Sequence, residues 1–293
     1  MFEFNAFNIA PWGHELVIYF WLIGTIGMTY ILASVPVLTT GTSEAFAKVQ
    51  KPAYILAFIA LLVCGVLLIT DLGQPQRFMN ILIYHHMSSP LVWGSILLLG
   101  FGACMALVLF SLFIKSDENL LRWAALIGSI LAVGLPLYTG LDQAGNQGRV
   151  LWHDPMIPLL YTSLSVTSGA AVLAAIGLVM GEGGNTGLYA LLRRVLFWSL
   201  LATTVMFVLM LVRLNYGTAQ EQQVMGIINS EMGFEFWVMT LLVGILVPLA
   251  LVFIRGIRDQ AVVVTVAGIL GLVGAYTFRA VIMYGGQLPQ LYY

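Results

Sequence analysis

The segment Asp71-Leu-Gly-Gln-Pro-Gln-Arg-Phe78 puts a carboxylate and a guanidinium into one short polar hairpin. His85-His86 and Ser88-Ser-Pro-Leu-Val-Trp-Gly94 follow before the chain turns apolar again. Comparable groups recur elsewhere: His14 and Glu15 precede Tyr19, and Tyr138 precedes Asp142 and Arg149. Tyrosine and histidine can donate hydrogen bonds to a bound oxygen, and aspartate or glutamate can take a proton from it. Asp71 and Arg77, with His85 and His86, are the residues that would order a loop or meet a partner.

These groups sit between long apolar runs. Of the 293 residues 60% are hydrophobic and 9% charged, against about 25% charged in soluble domains. That composition predicts a polytopic membrane protein, and the net charge of −1 argues against a nucleic-acid partner. A hydrocarbon core of about 30 Å needs roughly 20 apolar residues in helix. Eight runs qualify, at about 14–38, 52–70, 90–114, 121–141, 156–180, 191–213, 234–254 and 261–284. They are continuous rather than alternating, so they read as helices and not barrel strands. Ser89-Pro90 and Asp154-Pro155 each predict a capping side chain followed by proline at the first helical position. No composition shift divides residues 1–293, which read as one integral membrane domain. Tyr138-Thr139 and Tyr276-Thr277 echo each other and suggest two four-helix bundles. Met1 to Gly13 contains no Lys or Arg, so the first run is expected to stay as an anchor.

Orientation follows from the cations. Loops after spans one, three, five and seven hold Lys48, Lys51, Lys115, Arg122, Arg193, Arg194, Arg255 and Arg258. The other side holds Arg77, Arg149, Arg213 and Arg279. Eight against four predicts that the odd-numbered loops are cytoplasmic and both termini external, periplasmic in a bacterium. All four histidines lie in or beside the external segments, two of them adjacent. A bis-histidine haem needs ligands on facing helices, which argues against haem here. Cys64 and Cys104 lie in apolar runs without Cys-x-x-Cys spacing, so no iron–sulfur cluster and no metal site is expected in this chain.

A single charged residue at a span end can simply snorkel or form a structural ion pair. The pooling of such groups on one side favours a ligand site instead. Phenol and imidazole donors, carboxylate proton acceptors and aromatic walls suit an amphipathic quinone, whose two carbonyls need donors and whose redox change moves protons with electrons. A secondary transporter would call for paired broken helices near the midplane. Pro36 and Pro248 lie near opposite ends, and Pro136 stands alone. A redox-inactive anchor is the other alternative.

Asp71-Leu-Gly-Gln-Pro-Gln-Arg-Phe78 and Ser89-Pro-Leu-Val-Trp-Gly94 resemble the Asp-Leu-Gly-x-Pro-x-Arg-Phe and Ser-Pro-x-x-Trp-Gly pair of the NrfD-like family, the membrane subunits of polysulfide reductase. Trp12-Gly13, Tyr19 to Gly24, Tyr138-Thr-Gly-Leu141 and Arg279 through Gly285-Gly-Gln287 keep the family order. The resemblance implies a respiratory oxidoreductase subunit in the bacterial inner membrane that exchanges electrons with menaquinone or ubiquinone. It further implies a ferredoxin-like iron–sulfur subunit on the outer face and a molybdopterin catalytic subunit beyond it. Tyr138 matches the family's quinone-site tyrosine. Tyr19 stands where the family has a histidine, a role His14 could take over, and Leu16 replaces the accompanying asparagine. On this reading His14, Tyr19, Tyr138 and Arg149 bind quinone, and Asp142 and Glu15 accept protons.

Overall fold

A computed structural model describes residues 12–39, 43–46, 48–71, 74–84, 87, 89–114 and 117–288. Among them eight helices are long and apolar enough to cross a membrane. Spans one to four are His14–Leu38, Gln50–Asp71, Pro90–Phe113 and Glu118–Ala144. Spans five to eight are Met156–Val179, Thr186–Tyr216, Phe234–Phe253 and Ala261–Gly285. No strand occurs among the described residues. Span six, with 31 residues, reaches about 46 Å at 1.5 Å per residue, well beyond the hydrocarbon core. Its extra turns lie outside the apolar run seen in the sequence, where Asn185 caps the Leu188 amide.

Span one is the central helix. Of its most apolar stretch 78% is buried, against 28% in spans two and three, whose outer sides are left for lipid. It packs on spans two, four and five, and more lightly on span eight. Spans three and four pack together, as do five and six, five and eight, and seven and eight. Close approach needs missing side chains. Gly244 of span seven lies against Gly274 of span eight, so a Cβ on either would strike the other's backbone. Gly94 of span three receives a tyrosine ring from span four.

Several local features depart from the sequence reading. The Asp154 carboxylate accepts the Met156 amide at 2.7 Å, but Pro155 takes the cap position without a side-chain capping bond and the helix starts one residue later. Ser89 precedes Pro90 as expected, without a side-chain capping bond. The loop after span six contains a helix, Ala219–Glu231, begun by a capping box in which Thr218 and Glu221 satisfy each other's amides. It lies on the bundle through Val224, Met225 and Ile228. Span seven is a π-helix from Phe234 to Leu246 and turns α-helical from Val247.

Ion pairs gather the loops at each end. At the end carrying the loops after odd-numbered spans, Lys48 meets Glu182 at 2.6 Å and Arg193 meets Asp259 at 2.9 Å. At the opposite end Arg213 bridges Asp154 (3.2 Å) and Glu221 (2.5 Å). These ends are called the Lys48 face and the Asp71 face below.

Candidate functional site

Tyr19 and Tyr138 meet hydroxyl to hydroxyl in a buried hydrogen bond between spans one and four. Neither phenol reaches solvent, with 1% and 5% of their surfaces exposed. Residues four apart share a helix face, so each tyrosine has a carboxylate one turn nearer the Asp71 face. On span four this is the half-buried Asp142, within electrostatic reach of both phenols. On span one it is the exposed Glu15, within electrostatic reach of Asp71 at the end of span two. Cys64 of span two is buried and near enough to both phenols to interact electrostatically.

Gly94 seats this pair. A Cβ there would run into three ring atoms of Tyr138, so the glycine of the Ser89-Pro-Leu-Val-Trp-Gly94 stretch lets the phenol lie flat on span three. One residue beyond Asp142 the face of span four changes. Gln143 is fully buried and accepts the Tyr161 hydroxyl, and its amide donates to the Met283 sulfur at 3.3 Å. Arg279 is fully buried beside them, over the Tyr161 ring at 4.6 Å. Its Nη atoms donate to Ala275 O (2.8 Å), Tyr161 O (2.9 Å) and Ser165 Oγ (2.7 Å), while Nε has no hydrogen-bond partner. No carboxylate pairs with it among the described residues. Phe20 links the two clusters, packing on Tyr19 and Tyr161.

Among the described residues, His14 and Arg149 bond to partners other than the two phenols. His14 is five positions from Tyr19, about 140° around the helix at 3.6 residues per turn. It faces span eight instead, sharing hydrogen bonds with Tyr284 (2.9 Å) and Tyr276 (3.2 Å). Arg149 donates to Gly286 O at 3.0 Å and lies 5.7 Å over the Trp152 ring. Trp152 in turn donates to Ile282 O and stacks on Trp12. Arg149 therefore ties the loop after span four to the end of span eight. Arg77 ends an exposed 3-10 turn, and among the described residues no ion pair joins it to Asp71. His85 and His86 lie outside the described residues. No group of three or more His, Cys, Asp or Glu side chains converges as metal ligands would among the described residues.

Outside the spans, the clearest electrostatics belong to Asp154 and Glu221, the two carboxylates that Arg213 bridges. Burial pushes the Asp154 carboxyl above the usual aspartate range, with Arg213 pulling it part of the way back. Burial would also raise Glu221, but hydrogen bonds from the Thr218 amide and hydroxyl and from Arg213 outweigh it and hold that carboxyl low. Gln143, Tyr161 and Ser165 escaped the sequence reading. The one signal for them was polar residues inside apolar runs.

A family model described as "Polysulphide reductase, NrfD" matches residues 3–289. A polysulfide reductase protein of Wolinella succinogenes is 23% identical, over 97% of this chain and 96% of that protein. The NrfD homolog of Haemophilus influenzae is 22% identical over 97% of both. A selenate reductase protein of Mesobacillus selenatarsenatis is 28% identical over a shorter stretch, 29% of this chain and 20% of that protein.

Proposed function

The chain belongs to the NrfD family, and on that premise we propose that it is the multi-pass membrane subunit of a respiratory oxidoreductase, exchanging electrons between membrane quinone and an iron–sulfur partner. The observation that carries this reading is the buried Tyr19–Tyr138 pair with Asp142 one turn away. Two phenols in one hydrogen bond use a single proton between them. The other proton is free to donate to a carbonyl oxygen of menaquinone or ubiquinone. Oxidation of the quinol releases two electrons and two protons. Asp142 receives protons from the phenol side, and Glu15 with Asp71 passes them to solvent at the Asp71 face. The electrons leave to a cluster in the partner, one at a time, and reduction of the quinone reverses each step.

Geometry favours Tyr19 over His14 as the partner of Tyr138, because His14 is held by two tyrosines of span eight. Arg149 supports the loop end and not the ring. The exposed Pro75–Arg77 turn with Asp71, together with His85 and His86, is assigned to docking of the ferredoxin-like subunit, with a molybdopterin protein beyond it. The Asp71 face, with both termini, is periplasmic, and the spans form two four-helix bundles in the bacterial inner membrane. Relatives named for polysulfide and selenate reductases support a membrane part that serves different catalytic proteins.

The test is a titration of a fluorescent quinol analogue into the purified complex. Tyr138→Phe removes a buried hydrogen-bonding group, a change of about 1–2 kcal/mol that corresponds to roughly tenfold weaker binding. Asp142→Asn keeps the binding and lowers turnover. Absence of saturable binding in the wild-type complex, with its partners attached, reduces the protein to an anchor.

A further inference from the structure

Spans five and six leave an open groove of about 430 Å³ between them, lined by Arg194, Trp198, Ser199 and Ala202 of span six and by Ser163 and Val166 of span five. The groove exists because its floor is built from small residues. Their hydroxyls are already satisfied: Ser199 shares a hydrogen bond with Thr167 at 2.9 Å, and Ser163 accepts one from Thr203 at 2.9 Å. The slot therefore asks nothing polar of its occupant and presents hydrocarbon walls.

Its mouth differs from its floor. Arg194 is exposed there, one turn before Trp198, which is 66% exposed and forms a side wall. Three other cations of this face have carboxylate partners, whereas Lys51, Arg122 and Arg255, like Arg194, have none among the described residues. Arg193 pairs with Asp259, Arg258 lies 3.4 Å from the same carboxylate, and Lys48 pairs with Glu182. From Arg194 to Ala202 the helix rises about 12 Å at 1.5 Å per residue. That is close to half of a hydrocarbon core of about 30 Å, or one leaflet.

A cation at the interface above an apolar slot one leaflet deep matches one kind of molecule. We propose that this groove binds an anionic phospholipid, with the phosphate on Arg194 and one acyl tail between spans five and six. Tryptophan at headgroup level and basic pockets between spans both favour such a ligand. The inference is independent of the quinone site, which lies between spans one and four.

Delipidated complex in detergent, titrated with phosphatidylglycerol or phosphatidylcholine and followed by native mass spectrometry and thermal shift, tests it. Phosphatidylglycerol is expected to bind saturably and about fivefold more tightly than phosphatidylcholine, the effect of one interfacial arginine. Arg194→Gln abolishes that preference, whereas Arg122→Gln, at an exposed arginine of the same face outside the groove, preserves it. Ala202→Leu fills the slot without touching charge and weakens both lipids. Three results would overturn the proposal: a phosphatidylglycerol preference that survives Arg194→Gln, equal binding of the two lipids by the wild type, or binding unchanged by Ala202→Leu. Displacement by inorganic phosphate alone would also overturn it, by making the site one for a free anion.

Discussion

At the residue scale the protein holds a buried cation with no carboxylate beside it among the described residues. Arg279 is bonded to two carbonyls and a hydroxyl, with one nitrogen unpartnered. Burying an unpaired charge costs several kcal/mol that its hydrogen bonds only partly repay, so an apolar side chain of similar volume can be nearly neutral. Arg279→Met is therefore expected to change stability by no more than about 1 kcal/mol in thermal unfolding of the detergent-solubilised complex, and to impair turnover with quinol far more. A large loss of stability would make Arg279 a structural clamp instead. Much at this scale was legible in advance. Glu15 and Tyr19, like Tyr138 and Asp142, are four apart, and that spacing alone puts each pair on one face. The contacts of His14 were not legible. They depend on how span one is rotated against span eight, and the almost uniformly apolar spans carry no periodic pattern to reveal that angle. For the same reason Gln143 and Tyr161 could be seen as polar interruptions but not as partners.

At the scale of elements, glycine and capping residues set what the side chains can do. Gly94 is the position where span three gives way to the Tyr138 ring. Gly94→Ala is expected to leave the complex assembled and to weaken quinol-analogue binding at least as much as Tyr138→Phe, because it moves the ring as well as the hydroxyl. Binding equal to wild type in the same titration would remove Gly94 from the site. The helix Ala219–Glu231 went unread as a helix because its sequence is mostly polar and too short to announce a span; its signature was the Thr218 to Glu221 capping box. Its attachment responds to pH with a definite sign. Glu221 is held below its ordinary value near 4.5, so its contribution is full above that value and fades as pH falls through the lowered one. Asp154 is raised, so its folded form binds a proton more readily, and its effect on stability runs the opposite way over a higher window. Hydrogen exchange of the 219–231 amides, corrected for intrinsic rates, should therefore accelerate on acidification below about pH 4.5. Glu221→Gln should flatten that response.

At the scale of the whole molecule, the number and type of elements were open to reading, since only a continuous helix can satisfy its backbone across hydrocarbon and run length alone marks it. The packing partners of span one were hidden, because lipid-facing and helix-facing surfaces are made of the same apolar residues. What the sequence does carry is the unequal distribution of cations, and the structure arranges those charges by end: Lys48, Glu182, Arg193 and Asp259 pair on one face, and Asp154, Arg213 and Glu221 on the other. With an even number of spans both ends of the bundle's sequence share a face, and Gln287 donates to Trp12 O at 3.0 Å to tie them together. If the cation-rich face is cytoplasmic, an impermeant thiol reagent applied to intact cells should label a cysteine placed at the exposed Gln222 but not one placed at the exposed Gly256. Cys64 and Cys104 are buried and should give little background. Labelling of the Gly256→Cys variant before lysis, with the Gln222→Cys variant protected, would invert the molecule. The Tyr138 pair would then open toward the cytoplasm, and the iron–sulfur partner proposed above would have to dock there.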